Sequence, residues 1–199
     1  MPQKPKERPE LRHQMLLEES DRGCVLIGAA ALDNAMEDLL RQIFSADPAI
    51  LKKSVEPLLE PNGPLGSYSA KAQVLNALGL LTPDIYGDLE RIRKIRNRFA
   101  HVRDPVSFDD QSVMDVVTLL RTAEFFRKEI RRFNIKRQSS HAPSDRVLAE
   151  AGLVKFQRGC FAWAVEEIVR VLGRIAERIA KGHQSALQKA GTNDPGLKN

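Results

Sequence analysis

The chain has 199 residues, enough for one domain with a packed core, and its 42% hydrophobic and 29% charged residues exclude a disordered or fibrous protein. A net charge of +5 favours an anionic partner such as RNA or DNA and serves solubility equally well. Two cysteines far apart, with no CxxC and no Cys/His cluster, exclude a disulfide framework and a zinc finger; they read as buried, reduced thiols of a cytoplasmic protein.

The N-terminus is basic and proline-punctuated but lacks the apolar core of a signal peptide, so residues 1–18 are expected to form a disordered basic arm. Ser20 and Asp21 are cap candidates for a first long helix with Val25, Ala29, Leu32, Met36, Leu39, Leu40 and Ile43 on its apolar face. Asp33, Glu37 and Arg41 step by four along the other side, a spacing expected of a solvated charge ladder. The apolar run from Cys24 to Leu32 is the best in the chain and far too short for a membrane span.

Asp47-Pro48 caps a short helix that stops at Pro57. The stretch Leu58-Leu-Glu-Pro-Asn-Gly-Pro-Leu-Gly66 is dense in turn residues, and its leucines imply that it packs back onto the core. It lacks the spacing of a phosphate-binding loop. A third helix from about Ser67 should bury Ala72, Leu75 and Leu78, and Thr82-Pro83-Asp84 is a strong start for the next.

That next helix holds the chemistry. Ile85, Leu89, Ile92, Ile95 and Phe99 form its core stripe, with Arg91, Lys94 and Arg98 opposite and Arg93, Arg96 and Asn97 on the flanks. It ends at His101, just before Val102-Arg103-Asp104-Pro105. The negative end of a helix dipole favours a protonated imidazole, so Arg96, Asn97 and His101 gather a cation, an amide and a titratable ring where the helix stops. Another helix is expected to run unbroken from about Ser107 to Phe133, turning basic at Arg127, Lys128, Arg131 and Arg132. Arg91, Arg93, Lys94, Arg98, Arg103, Arg127 and Arg131 are the candidate nucleic-acid contacts.

After a connector at 138–144, a helical extension over 145–189 carries a heptad-like seam of Phe161, Val165, Ile168, Leu172, Ile175 and Ile179, with Trp163 off the seam. A flexible tail is expected over 190–199. No segment alternates like a strand, so the expected fold is all-α: an up-and-down bundle over 19–137 with a long C-terminal helix. Neither a cofactor motif nor a metal-ligand cluster is present in the sequence, and no cofactor or metal is expected.

Two family resemblances arise from these residues. The run Ser54-Val-Glu-Pro-Leu-Leu-Glu-Pro-Asn-Gly-Pro-Leu-Gly66, with Ala77-Leu-Gly-Leu-Leu81, Tyr86, Arg96, His101 and Phe108-Asp-Asp110, resembles the MtlR family of mannitol operon repressors over roughly 20–130. That resemblance implies a negative regulator of transcription in sugar-alcohol metabolism. With no helix-turn-helix in view, such a protein would act through a protein partner or non-specific nucleic-acid contact. Arg96-Asn-Arg-Phe-Ala-His101 also resembles the R-x4-H signature of the HEPN superfamily. HEPN ribonucleases pair two copies around a metal-independent cleft, which implies a homodimer and an antitoxin as alternative partner. In that reading His101 would move the proton of the ribose 2′-OH or the leaving oxygen, Arg96 would steady the phosphorane, and Asn97 would position either.

Overall fold

The computed structural model describes residues 9–44, 47–101, 106–130 and 146–192, with side chains described for 14–44, 47–100, 106–130 and 156–185. All regular structure among them is helical. The elements are α1 (Pro9–Glu18), α2 (Asp21–Phe44), α3 (Pro48–Ile50), a π-helical turn (Leu51–Val55), α4 (Glu56–Leu59), α5 (Tyr68–Ala77), α6 (Pro83–His101), α7 (Gln111–Thr118), α8 (124–130) and α9 (Arg146–Thr192). Starts fall where the caps place them: Ser20 Oγ accepts from Gly23 N–H, Ser67 Oγ from Ala70 N–H and Thr82 Oγ1 from Ile85 N–H.

The long helices share one core. Val25, Leu32, Met36, Leu39 and Leu40 of α2, Ile85 through Phe99 of α6, and Phe161, Val165, Ile168, Leu172 and Ile175 of α9 are all buried in it. Helices α2 and α9 run in the same sense: Asp21 at the start of α2 meets Arg158, and two turns on Gly28 lies against Phe161 and Val165. A Cβ on Gly28 would stand 3.0 Å from the Phe161 ring, so glycine permits the close approach. Helix α6 runs the other way. Its Ile85 shares a cleft with Val171, while Phe99 lies against Phe108, which in turn packs on Phe161.

Three expectations change and one narrows. Residues 9–18, expected to be a disordered arm, form α1, which packs on α2 and α9; Leu16 is buried, and Arg158 donates to Leu17 O and Glu19 O. The C-terminal helix, expected to pack on the bundle or to pair with a second copy, forms one wall of the common core, its Phe161-to-Ile175 seam buried among α1, α2 and α7. Leu78, expected inside, is half exposed because α5 ends at Ala77. The helix expected unbroken over 107–133 is two helices, with a turn at 119–123. The connector at 138–144 lies outside the described residues, and α9 continues to Thr192, past the start of the expected tail at 190.

The cause of the break is Asp88. Fully buried on α6, it accepts hydrogen bonds from Arg121 N–H (3.0 Å), Thr122 N–H (2.7 Å), Thr122 Oγ1 (2.8 Å) and the Arg91 guanidinium (2.9 Å). The carboxylate thus satisfies amides that would otherwise continue the α7 ladder. The freed carbonyls at the end of α7 take Arg127, which donates to Leu120 O (2.5 Å) and Val117 O (3.4 Å).

The turn-rich segment after α4 does pack back, with Leu59 buried and Leu58 and Leu65 partly so. Leu65 N–H bonds to Leu58 O at 2.8 Å and Gly63 N–H to Glu60 O at 2.7 Å. A side chain at Gly63 or Gly66 would run into the carbonyls of Pro57 or Glu60, which is the physical reason for glycine in this motif.

Replacing Asp88 by alanine takes the acceptor from the part-buried Arg121 and Thr122 amides and from the Thr122 hydroxyl, and releases the partly exposed Arg91 guanidinium. We expect Asp88→Ala to lose about 3 kcal/mol of unfolding free energy, read by urea denaturation.

Candidate functional site

Helix α6 presents the residues singled out by sequence. Its apolar stripe is buried, with Ile95 and Phe99 each 2% exposed, so the polar faces must look outward. Arg96 is exposed and donates to Asn97 Oδ1 at 3.1 Å; Lys94 and Arg98 are exposed one turn apart on the same face. The side chains of His101, Arg103 and Arg131 lie outside the described residues.

Three of the expected nucleic-acid contacts, all partly exposed, are already bonded within the fold. Arg91 supports Asp88, Arg93 pairs with Glu90 at 2.9 Å, and Arg127 closes the end of α7. A guanidinium held this way has fewer donors and less freedom to offer a phosphate. The exposed cations described at this end are therefore Lys94, Arg96 and Arg98.

The ladder on α2 is not solvated either. Lys71 of α5, only 2% exposed, reaches Asp33 Oδ2 (3.0 Å) and Glu37 Oε2 (2.7 Å). Glu37 also accepts from Arg41 (2.7 Å), which forks onto Glu56 at 3.0 and 3.1 Å. Burial pushes the Glu37 carboxyl up, but Lys71 and Arg41 outweigh it and hold it below its usual value. The hydrogen bond from Arg41 does the same for Glu56. Asp33, through Oδ2, and Glu37, through both oxygens, thus position α5 and α4 on α2. Tyr68 is also turned inward, donating to Leu89 O at 3.3 Å, and burial drives its phenol pKa well up.

The two cysteines are buried free thiols; burial raises Cys24 to about 12, so the thiolate is suppressed. Among the described residues no three His, Cys, Asp or Glu side chains gather as a metal site.

A second feature escaped the sequence reading. Between the start of α6, the 119–123 turn with α8, and α9 lies an open cleft of about 590 Å³, lined by Asp84, Ile85, Arg121, Phe125, Trp163 and Val171 among others. Phe125, 61% exposed, stacks on Trp163 (centroids 6.0 Å apart), and Trp163 stacks on Phe126 at 5.5 Å. The cleft lies roughly 17 Å along α6 from Arg96, at the opposite end of the helix. A signal for it existed: Asp88 falls on the apolar stripe of α6, where an acid needs a buried partner, but its partners are backbone amides that no spacing reveals.

These features define a class: an all-α bundle closed by a long last helix, with a cationic helix end on one side and an aromatic cleft on the other. Within that class the chain belongs to the mannitol repressor family. The family model, described as "Mannitol repressor", matches residues 14–172 and so takes in α1 side chains and much of α9, beyond the 20–130 of the sequence resemblance. The mannitol operon repressors of Escherichia coli K12 and of Escherichia coli O6:H1 are each 29% identical over 93 residues, 47% of this chain and 48% of theirs. The chain therefore aligns with about half the length of these curated relatives.

Among solved structures, a possible transcriptional regulator, YggD of Shigella flexneri 2a, matches with a TM-score of 0.66 at 17% identity, over 83% of this chain and 98% of that one. The X-ray structure of the MtlR-HPr complex from Escherichia coli matches with a TM-score of 0.52 at 22% identity, over 85% and 99%. At these identities the two establish a common fold. No described helix is long and apolar enough to cross a membrane.

The lowered Glu37 and Glu56 carboxyls bind fewer protons folded than unfolded. Their contribution is complete above the unfolded carboxylate range near 4.5 and is lost as pH falls through the folded values. Unfolding followed against pH should show stability falling below about pH 4.5, with a shallower fall in Lys71→Met, which relieves the hold on Glu37.

Proposed function

We propose that this chain is a negative regulator of transcription that works by holding a protein partner, and that the partner is HPr, the protein found with the Escherichia coli relative. Family membership over residues 14–172 is the observation that carries the reading. It is supported by the absence, among the described residues, of a helix-turn-helix with a free recognition helix: α6 buries one face in the core and α7 ends after eight residues. Non-specific contact with DNA or RNA falls to Lys94, Arg96 and Arg98, whose charges are displayed without an ion-pair partner among the described residues.

A second reading rests on the Arg96–Asn97 pair, exposed near the end of α6 as a composite ribonuclease site requires. In it the chain is a metal-independent endoribonuclease acting as a homodimer, with Arg96, Asn97 and His101 as the reacting corner and an antitoxin as its partner.

Two measurements separate them. Purified protein titrated with purified HPr in a calorimeter should bind on the regulator reading, and absence of binding would sink that reading. Incubation with single-stranded RNA in EDTA should leave the RNA intact; cleavage that His101→Ala abolishes would establish the ribonuclease instead. For the nucleic-acid contact, reversing Lys94 and Arg98 to glutamate should weaken binding to a random DNA duplex and flatten its salt dependence by about two units of slope.

A further inference from the structure

We propose that the partner docks in the cleft between the start of α6, the 119–123 turn and α9, inserting an apolar side chain from its own surface onto the Phe125–Trp163 pair. The inference rests on the partner-binding reading above and assigns its surface.

Of the large apolar side chains described, Phe125 (61%) and Leu119 (58%) are the most exposed; they flank one turn, and Phe125 lines the cleft. Exposed aromatic area of this kind marks contact surface more often than accident. The cleft is lined by the stacked Phe125 and Trp163 rings, and Phe126 backs Trp163 from outside the lining, with interplanar angles of 25–27° where they meet. Aromatic side chains and arginine are the types that dominate binding energy at protein interfaces, since they present large rigid area at small entropic cost.

The rim identifies the kind of occupant. Glu167 is occupied by Arg170 and Arg174, and Glu124 by Lys128. Arg121, which lies near enough to Glu124 to help lower its carboxyl, and Asp84 make no direct salt bridge among the described residues. They leave one cation and one anion for the incoming surface to match, so the partner carries a carboxylate and a cation flanking its apolar side chain. The opening also matters: the cleft is broad and open to solvent, suited to a protruding side chain of a folded protein and poorly suited to enclosing a small solute.

Rigidity completes the case. Asp88 fixes the Arg121 and Thr122 amides at 3.0 and 2.7 Å, so Arg121 and Phe125 leave an anchored turn instead of a loose loop. A surface already held in its binding shape loses little entropy on association.

The test uses the full chain, purified HPr as probe, and three variants: Phe125→Glu, Arg121→Glu and, as a control, Ile27→Glu at an exposed apolar site on α2. Phe125→Glu should weaken HPr binding by about thirty-fold and Arg121→Glu by about ten-fold, with Ile27→Glu unchanged. Thermal unfolding of each variant checks the fold, and Arg121→Glu decides should Phe125→Glu fail to fold. If wild type binds HPr and all three variants bind equally well, the cleft is not the seat, while the partner reading stands. A dimer that Phe125→Glu splits without loss of HPr affinity assigns the cleft to a second copy and overturns the proposal. Absence of HPr binding by wild type removes the partner reading, and this surface with it.

Discussion

A single buried carboxylate decides how the second half of this molecule is laid out. Asp88 is fully enclosed and receives four donors, two of them backbone amides from a segment more than thirty residues further on. In a low-dielectric interior such a group is tolerable only when every oxygen is engaged, and here the engagement is what fixes a turn. The turn sends α8 back against α9 and sets Phe125 and Phe126 beside Trp163. Without it, the amphipathic pattern from Ser107 onward would have been one straight rod, with no cleft beside it.

The same economy governs the other charges. A net charge of +5 suggests a basic surface, yet several of the cations join elements of the fold. Lys71 joins α5 to α2, Arg41 ties α2 to α4, Arg127 closes α7, and Arg158 holds the α1–α2 junction to α9. Each replaces what would be an unsatisfied carboxylate or carbonyl with a charge-assisted hydrogen bond. What remains displayed on α6 is a pair on one face, Lys94 and Arg98, with Arg96 on another, too few for reading sequence.

How far the sequence could be read follows from the range of the interactions involved. Helix starts at Ser20, Ser67 and Thr82 are local hydrogen bonds between residues three apart, so their sequence signal is direct. The buried stripes of α2, α6 and α9 are equally legible, because periodicity encodes them. The breaks in the reading come where a partner lies far away in sequence. Lys71 bonds across 34 and 38 residues, so the α2 carboxylates looked solvated; Asp88 reaches across 33 and 34, so α7 looked continuous. For α1, polar composition suggested an unstructured arm, whereas Leu16 is buried and Arg158 binds the following carbonyls. The Arg96–Asn97 pair was legible as a pair, but the spacing that places Asp88 three residues before Arg91 does not reveal that Asp88 is buried, and the carbonyls that Arg127 binds carry no sequence signal.

The clamp between Asp21 and Arg158 spans 137 residues and, with Phe108 N–H bonded to the same carboxylate at 2.9 Å, joins three distant stretches of chain. As the polypeptide leaves the ribosome, the start of α2 must wait for residue 158 before its groove is filled. Until then Val25, Gly28 and Leu32 face water, and the nascent chain is exposed to self-association and to chaperones. Synthesis rate through the last third of the message therefore bears on the yield of folded protein, and slow codons there would prolong the vulnerable interval.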